Sequence, residues 1–166
     1  MTGKGHVLFG LSSLYSVQEL LSLSLSVPEW VVMGGIVVFS SLLPDIDHPQ
    51  STFGRKVKLL SYPISQLFGH RGITHSLLMV LIIFYFLFYI MPAYYLEIFI
   101  VKLAMLAFVI GYGSHLVGDM LTPSGIPLFW PIKKRFAFGL VKNGLLGELI
   151  VCASLPCLIH YFKTYL

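Results

Sequence analysis

The chain has 166 residues, a formal net charge of +4, 57% hydrophobic residues and only 11% charged ones. Ordinary globular domains are about 45–50% apolar and about 25% charged, so this chain has too few charges to coat a water-soluble globule. A disordered chain is excluded by the apolar content, and a disulfide-rich secreted module by having only two cysteines. What remains is an integral membrane protein, one domain over residues 1–166. In that class an excess of Lys and Arg reports topology, and no nucleic-acid partner is predicted from it.

Apolar runs near 20 residues, enough to cross about 30 Å of hydrocarbon, predict an all-α polytopic protein with about five transmembrane helices. The first run, 6–25, contains Glu19 and is rich in serine. Lys4 and the apolar stretch after it imitate a signal peptide, but no A-x-A-type cleavage site follows, so an uncleaved helix is expected. The alternative is four spans with this first helix lying in the interface. The second run, 27–43, has Glu29 at its start and stops at Pro44-Asp45. In the connection that follows, 55–68 is basic, amphipathic and interrupted by Pro63, which places it among the headgroups.

The run 72–96 has no Asp, Glu, Lys or Arg and reads as the clearest span. Phe99–Leu121 carries Lys102 near one end and His115 and Asp119 near the other. The segment 122–144 is rich in Pro and Gly and holds Lys133-Lys134-Arg135. The last run, 145–161, has Glu148 at its start and His160 at its end. Its cysteines, Cys152 and Cys157, fall on different helix faces and read as packing residues, not as a disulfide.

With a cytoplasmic N-terminus and five spans, the cytoplasmic segments hold Lys4, Arg55, Lys56, Lys58, Arg71, Lys133, Lys134, Arg135 and Lys142. Lys102 and Lys163 remain on the other side. That bias predicts this orientation.

At the same helix ends stand His6, Asp45, Asp47, His48, His70, His75, His115, Asp119 and Glu148. Ionisable residues in or beside a span are costly, so each is a functional candidate. Each also has a plainer reading. His6 starts the first span and could be merely interfacial. Asp45, Asp47 and His48 place three metal-ligand types in four residues, although an Asp beside a proline turn also serves as a cap.

His70 and His75 are five apart and share no helix face, but a loop at Gly72 could turn both inward. Thr74 could cap the helix that follows, and Arg71 is either a topology charge or an anion clamp. His115 and Asp119 are i and i+4, stacked on one face as two ligands for one metal or as a hydrogen-bonded pair. Gly111, Gly113 and Gly118 would let a neighbouring helix approach. Glu148 suits the first turn of a helix by its charge as well as a site. Mixed imidazole and carboxylate groups suit zinc, manganese or iron, and their number would support one or two ions, or more. There is no phosphate-binding glycine loop, G-x-S-x-G elbow or H-E-x-x-H helix.

Gly5-His6, Leu42-Leu43-Pro44-Asp45-Ile46-Asp47-His48-Pro49, Gly69-His70-Arg71-Gly72-Ile73-Thr74-His75-Ser76 and the stretch from Gly111 to Pro123 together resemble the YdjM-like bacterial inner-membrane proteins. The likeness is distinct to about Pro131 and fades toward Glu148. It implies a multi-pass protein of the bacterial inner membrane and the family's description as LexA-regulated, membrane-bound, metal-dependent hydrolases. The interleaved His and Asp residues are also similar to those of zinc-dependent phospholipase C enzymes, which implies an all-helical site with more than one metal.

The expected function is therefore hydrolysis of a phosphoester in a lipid or lipid-linked substrate at the cytoplasmic membrane surface. The expected ligands are His6, Asp45, His48, His70, His75, His115 and Asp119. Asp47 or Glu148 is expected as base or further ligand, and Arg71 as phosphate clamp. The alternative is a metal-binding membrane protein or metal-ion carrier without catalysis.

Overall fold

Six α-helices are seen in a computed structural model that describes residues 1–90, 98–141 and 144–165. They are α1 (Gly3–Leu21), α2 (Val27–Leu42), α3 (Lys58–Phe68), α4 (Leu77–Tyr85), α5 (Phe99–Leu121) and α6 (Leu145–Tyr165). Two short 3-10 turns, Pro44–Asp47 and Ile73–His75, follow α2 and precede α4. Among the described residues there is no strand, only one isolated bridge between Ile126 and Phe136.

Val27–Asp47, Phe99–Leu121 and Leu146–Tyr165 are long and apolar enough to cross a membrane. α1 is a helix of 19 residues but does not join them on composition. Its place in the bundle supplies the reason. It packs against α2, α5 and α6, so its less apolar residues can face protein instead of lipid. Gly5, His6, Gly10 and Ser16 are buried on it beside Phe9 and Leu14.

The run 72–96 departs most from expectation. Ile73–His75 forms a 3-10 turn, and the apolar helix begins at Leu77 and extends to Tyr89; residues 91–97 lie outside the described ones. Its N-cap is Ser76, whose hydroxyl accepts from the Met79 N–H, and not Thr74. Thr74 donates its hydroxyl to Asp47. The longest described span is instead α5, with 23 residues.

α1 and α6 start at one end of the bundle, where α2 and α5 finish. That end carries all nine acidic and histidine candidates. At the far end Lys163 Nζ reaches the Glu19 carbonyl at 2.8 Å and its carboxylate at 3.4 Å. Between the ends an apolar layer of Leu14, Met33, Val37, Leu103 and Ala107 closes the bundle. Cys152 is buried, as a packing residue should be, whereas Cys157 is exposed on the outside of α6 and does not pack.

Gly111 sets the approach of α5 to α2. A Cβ there would lie 2.7 Å from the Val37 carbonyl oxygen and would overlap the Ser40 hydroxyl. Gly111→Ala is expected to destabilise by about 1–3 kcal/mol through overpacking, read as a lower unfolding temperature in detergent. Gly113 meets nothing within 4 Å, so the expected close approach does not occur there. Gly113→Ala is the control, neutral or stabilising by up to about 1 kcal/mol.

Candidate metal centre

α5 presents His115 and Asp119 one turn apart, both buried. The 3-10 turn after α2 brings Asp45 to them, and the turn before α4 brings His75. His75 Nε2 and His115 Nε2 face each other at 3.1 Å. Asp45 Oδ1 is 3.7 Å from both nitrogens. Asp119 Oδ2 is 3.7 Å from His75 Nε2 and 3.9 Å from His115 Nε2.

The far sides of the two rings fix what these atoms can do. His115 Nδ1 donates to the Ser41 carbonyl at 2.7 Å, an acceptor only. His75 Nδ1 lies 3.1 Å from Asp47 Oδ2, which also only accepts. Each neutral ring therefore carries its proton on Nδ1 and points a lone pair at the other ring. With both rings neutral, two lone pairs and two carboxylate oxygens converge, with Arg71 Nη2 as the donor against Asp119 Oδ2, and such a set can hold a cation.

Burial works to lower the His75 imidazole, but the Asp45 and Asp47 carboxylates outweigh it and hold it up at about 9, so a proton on Nε2 competes with a metal ion for that position. Asp119 Oδ2 is buried without a hydrogen-bond partner, although Arg71 Nη2 stands 3.0 Å away. Ligands about 2.0–2.1 Å from a tetrahedral zinc lie about 3.3 Å apart. The separations of 3.1–3.9 Å among His75, His115 and each carboxylate are near that spacing.

Two groups of residues could hold a metal: Asp45 with His75 and His115, and His6 with His115 and Asp119. His6 stacks on His115 with ring centroids 3.6 Å apart. Its Nε2 lies 3.3 Å from Asp119 Oδ1, and its buried Nδ1 has no partner. Asp119 Oδ1 also accepts from the Met1 ammonium at 2.7 Å.

The remaining candidates stand apart from these groups. Asp47 is fully buried and already surrounded by donors: His70 Nδ1 at 3.0 Å, the Arg71 N–H at 2.9 Å, the Thr74 hydroxyl and His75 Nδ1. His70 is 42% exposed and packs on His48 with centroids 4.5 Å apart. This pair forms a rim beyond Asp47, in neither metal group. Arg71 adopts a left-handed backbone, φ 61°, held by its N–H on Asp47 and its guanidinium on Ser124, the Gly125 carbonyl and Asp119.

Glu148 caps a helix other than its own. Its carboxylate accepts from the Thr2 N–H at 2.7 Å and the Thr2 hydroxyl at 2.6 Å, tying α6 to the start of α1. Glu148→Ala is expected to cost about 1–3 kcal/mol by leaving these donors unpaired. Glu148→Gln, which still accepts one of them and donates to the hydroxyl, should be close to neutral. Thermal unfolding in detergent, with metal content measured alongside, checks both.

Fold and cluster define an all-helical membrane protein with a buried His/Asp group able to hold a metal. The chain belongs to the YdjM inner membrane protein family, whose model matches residues 1–162. It is 38% identical over 162 residues to "Inner membrane protein YdjM" of Escherichia coli (strain K12), covering 93% of this chain and 79% of that protein. The YdjM of Shigella flexneri gives the same figures. It is 34% identical over 163 residues to "Uncharacterized protein YvsG" of Bacillus subtilis (strain 168), covering 98% of this chain and 94% of that one. No solved structure matches the chain.

Proposed function

We propose that this protein is a metal-dependent phosphoesterase of the bacterial inner membrane, acting on a lipid or lipid-linked substrate at the cytoplasmic face. The observation that carries the reading is the convergence of His75 Nε2, His115 Nε2, Asp45 Oδ1 and Asp119 Oδ2 with both Nδ1 atoms already committed. Zinc, or manganese or iron, held by these four would polarise a phosphoryl oxygen and activate water. His6 with Asp119 and His115 would hold a second ion, in keeping with the likeness to phospholipase C enzymes. The accumulation of basic residues at the site end supports a cytoplasmic N-terminus.

In this reading Asp47 is a positioning residue. It fixes the tautomer of His75 and orients His70. His70 is exposed at the rim, and with Nδ1–H on Asp47 its Nε2 lone pair is the atom suited to take a proton from the attacking water and return it to the leaving oxygen. Arg71 holds the loop 122–125 against the cluster and contributes positive charge for a phosphate. Glu148 secures α1, and with it His6.

The non-catalytic carrier is the second reading. A carrier needs polar groups along the bilayer depth, whereas the layer of Leu14, Met33, Val37, Leu103 and Ala107 favours a site open at one end. The deciding experiment is hydrolysis of a panel of soluble phosphodiesters, phosphomonoesters and phospholipids by metal-loaded protein, read as the alcohol and the phosphomonoester or phosphate that each substrate yields. Turnover abolished by chelation and restored by metal supports the phosphoesterase. Bound metal with no turnover across the panel favours the carrier.

A further inference from the structure

α3 is almost unpacked. Only Ser61 is buried on it, while Leu59 is 91% and Leu67 77% exposed. Phe129 and Ile132, on the segment after α5, are exposed as well. Between these two apolar edges lies a pocket of about 330 Å³, lined by Phe68, His70, Arg71, Trp130, Lys133 and Arg135 among others. None of its described lining residues is acidic. Arg71 joins the pocket to the cluster through Nη2 on Asp119, and its Nε–H is buried with no acceptor. Arg135 is steadied by the Ser124 carbonyl at 3.2 Å.

Lys133 and Arg135, with Arg71 paired to Asp119 at the inner edge, leave the described lining with an excess of positive charge that selects a phosphate, and an arginine fork suits it best. The apolar edges select its source. Exposed leucines on an amphipathic helix lie at the headgroup boundary, and Trp130 beside Phe68, centroids 6.0 Å apart, is the kind of aromatic edge found there.

We propose that Arg71, Lys133 and Arg135 form a subsite for the phosphate of an anionic membrane lipid, whose chains leave along α3. The subsite rests on the phosphoesterase reading only in being its substrate site, and its binding is measured without turnover.

The Trp30→Phe variant leaves Trp130 as the single tryptophan. This protein, purified in detergent, is titrated with short-chain phosphatidic acid, short-chain phosphatidylcholine and inorganic phosphate, following Trp130 emission. Phosphatidic acid is expected to bind at least about tenfold more tightly than either other ligand, and Lys133→Ala/Arg135→Ala to weaken it at least about tenfold. Metal content should not change. Lys133→Ala alone, at an exposed side chain, carries the test if the double variant unfolds.

Equal binding of phosphatidic acid and phosphatidylcholine, or full affinity in the variants, overturns the subsite. Inorganic phosphate binding as tightly as phosphatidic acid overturns its lipid source. Selective lipid binding with no turnover on any phosphoester rejects the phosphoesterase and leaves the subsite standing. Turnover of soluble phosphoesters without selective lipid binding does the reverse.

Discussion

His115→Ala is expected to lose divalent metal, lowering affinity by a factor on the order of 10²–10³. A four-ligand zinc site is worth roughly 10–16 kcal/mol, so each ligand carries about 2.5–4 kcal/mol. His115 is shared by both candidate metal groups, so its loss weakens either form of the centre. The truncation also frees the Ser41 carbonyl and removes the ring on which His6 stacks. Asp119→Asn therefore accompanies it, keeping the shape while removing a carboxylate charge that Arg71 and the Met1 ammonium also face. A titration with cobalt, followed by its visible absorption, reads the affinity. Circular dichroism in detergent reports that each variant is folded.

Asp47→Asn is the second large effect, and it separates a positioning role from a ligand role. Four donors point at this carboxylate, which is fully buried. An amide turns one acceptor oxygen into a donor facing other donors. Loss of a carboxylate that orients a ligating histidine typically lowers metal affinity about 10–100-fold. The broken buried network should also cost about 2–4 kcal/mol of stability. Thr74→Val, which removes one of the four donors, should cost about 1 kcal/mol and leave metal content near that of the parent. A metal loss in Asp47→Asn as complete as in His115→Ala would make Asp47 a ligand.

The sequence carries the site unevenly. The spacing of His115 and Asp119 translates directly into two atoms on one helix face, because α5 is regular there. Asp45 and Asp47 do not separate in the same way. They sit two residues apart in a 3-10 turn, and the turn aims Asp45 at the ring nitrogens and Asp47 at their far side. His70 and His75 read together as ligands in the sequence, yet Asp47 lies between them and accepts from both. Glu148 reads as a first-turn glutamate, but its partner Thr2 is 146 residues away, a separation that no local pattern encodes.

The span count was obscured by burial and by backbone. The run 6–25 is read from sequence as the first span, but α1 falls short of the composition of the three long apolar helices and packs against α2, α5 and α6. The most apolar run begins its helix late because the turn that aims His75 inward occupies its first residues. The cationic pocket joins 68–72 to 127–135, so neither segment announces it alone.

Metal analysis of protein purified without chelator tests the central claim most directly. About one equivalent of zinc, manganese or iron per chain, rising toward about two if the His6 group also fills, is the predicted result. Folded protein that carries none, and takes up none from a metal-supplemented buffer, would contradict the account.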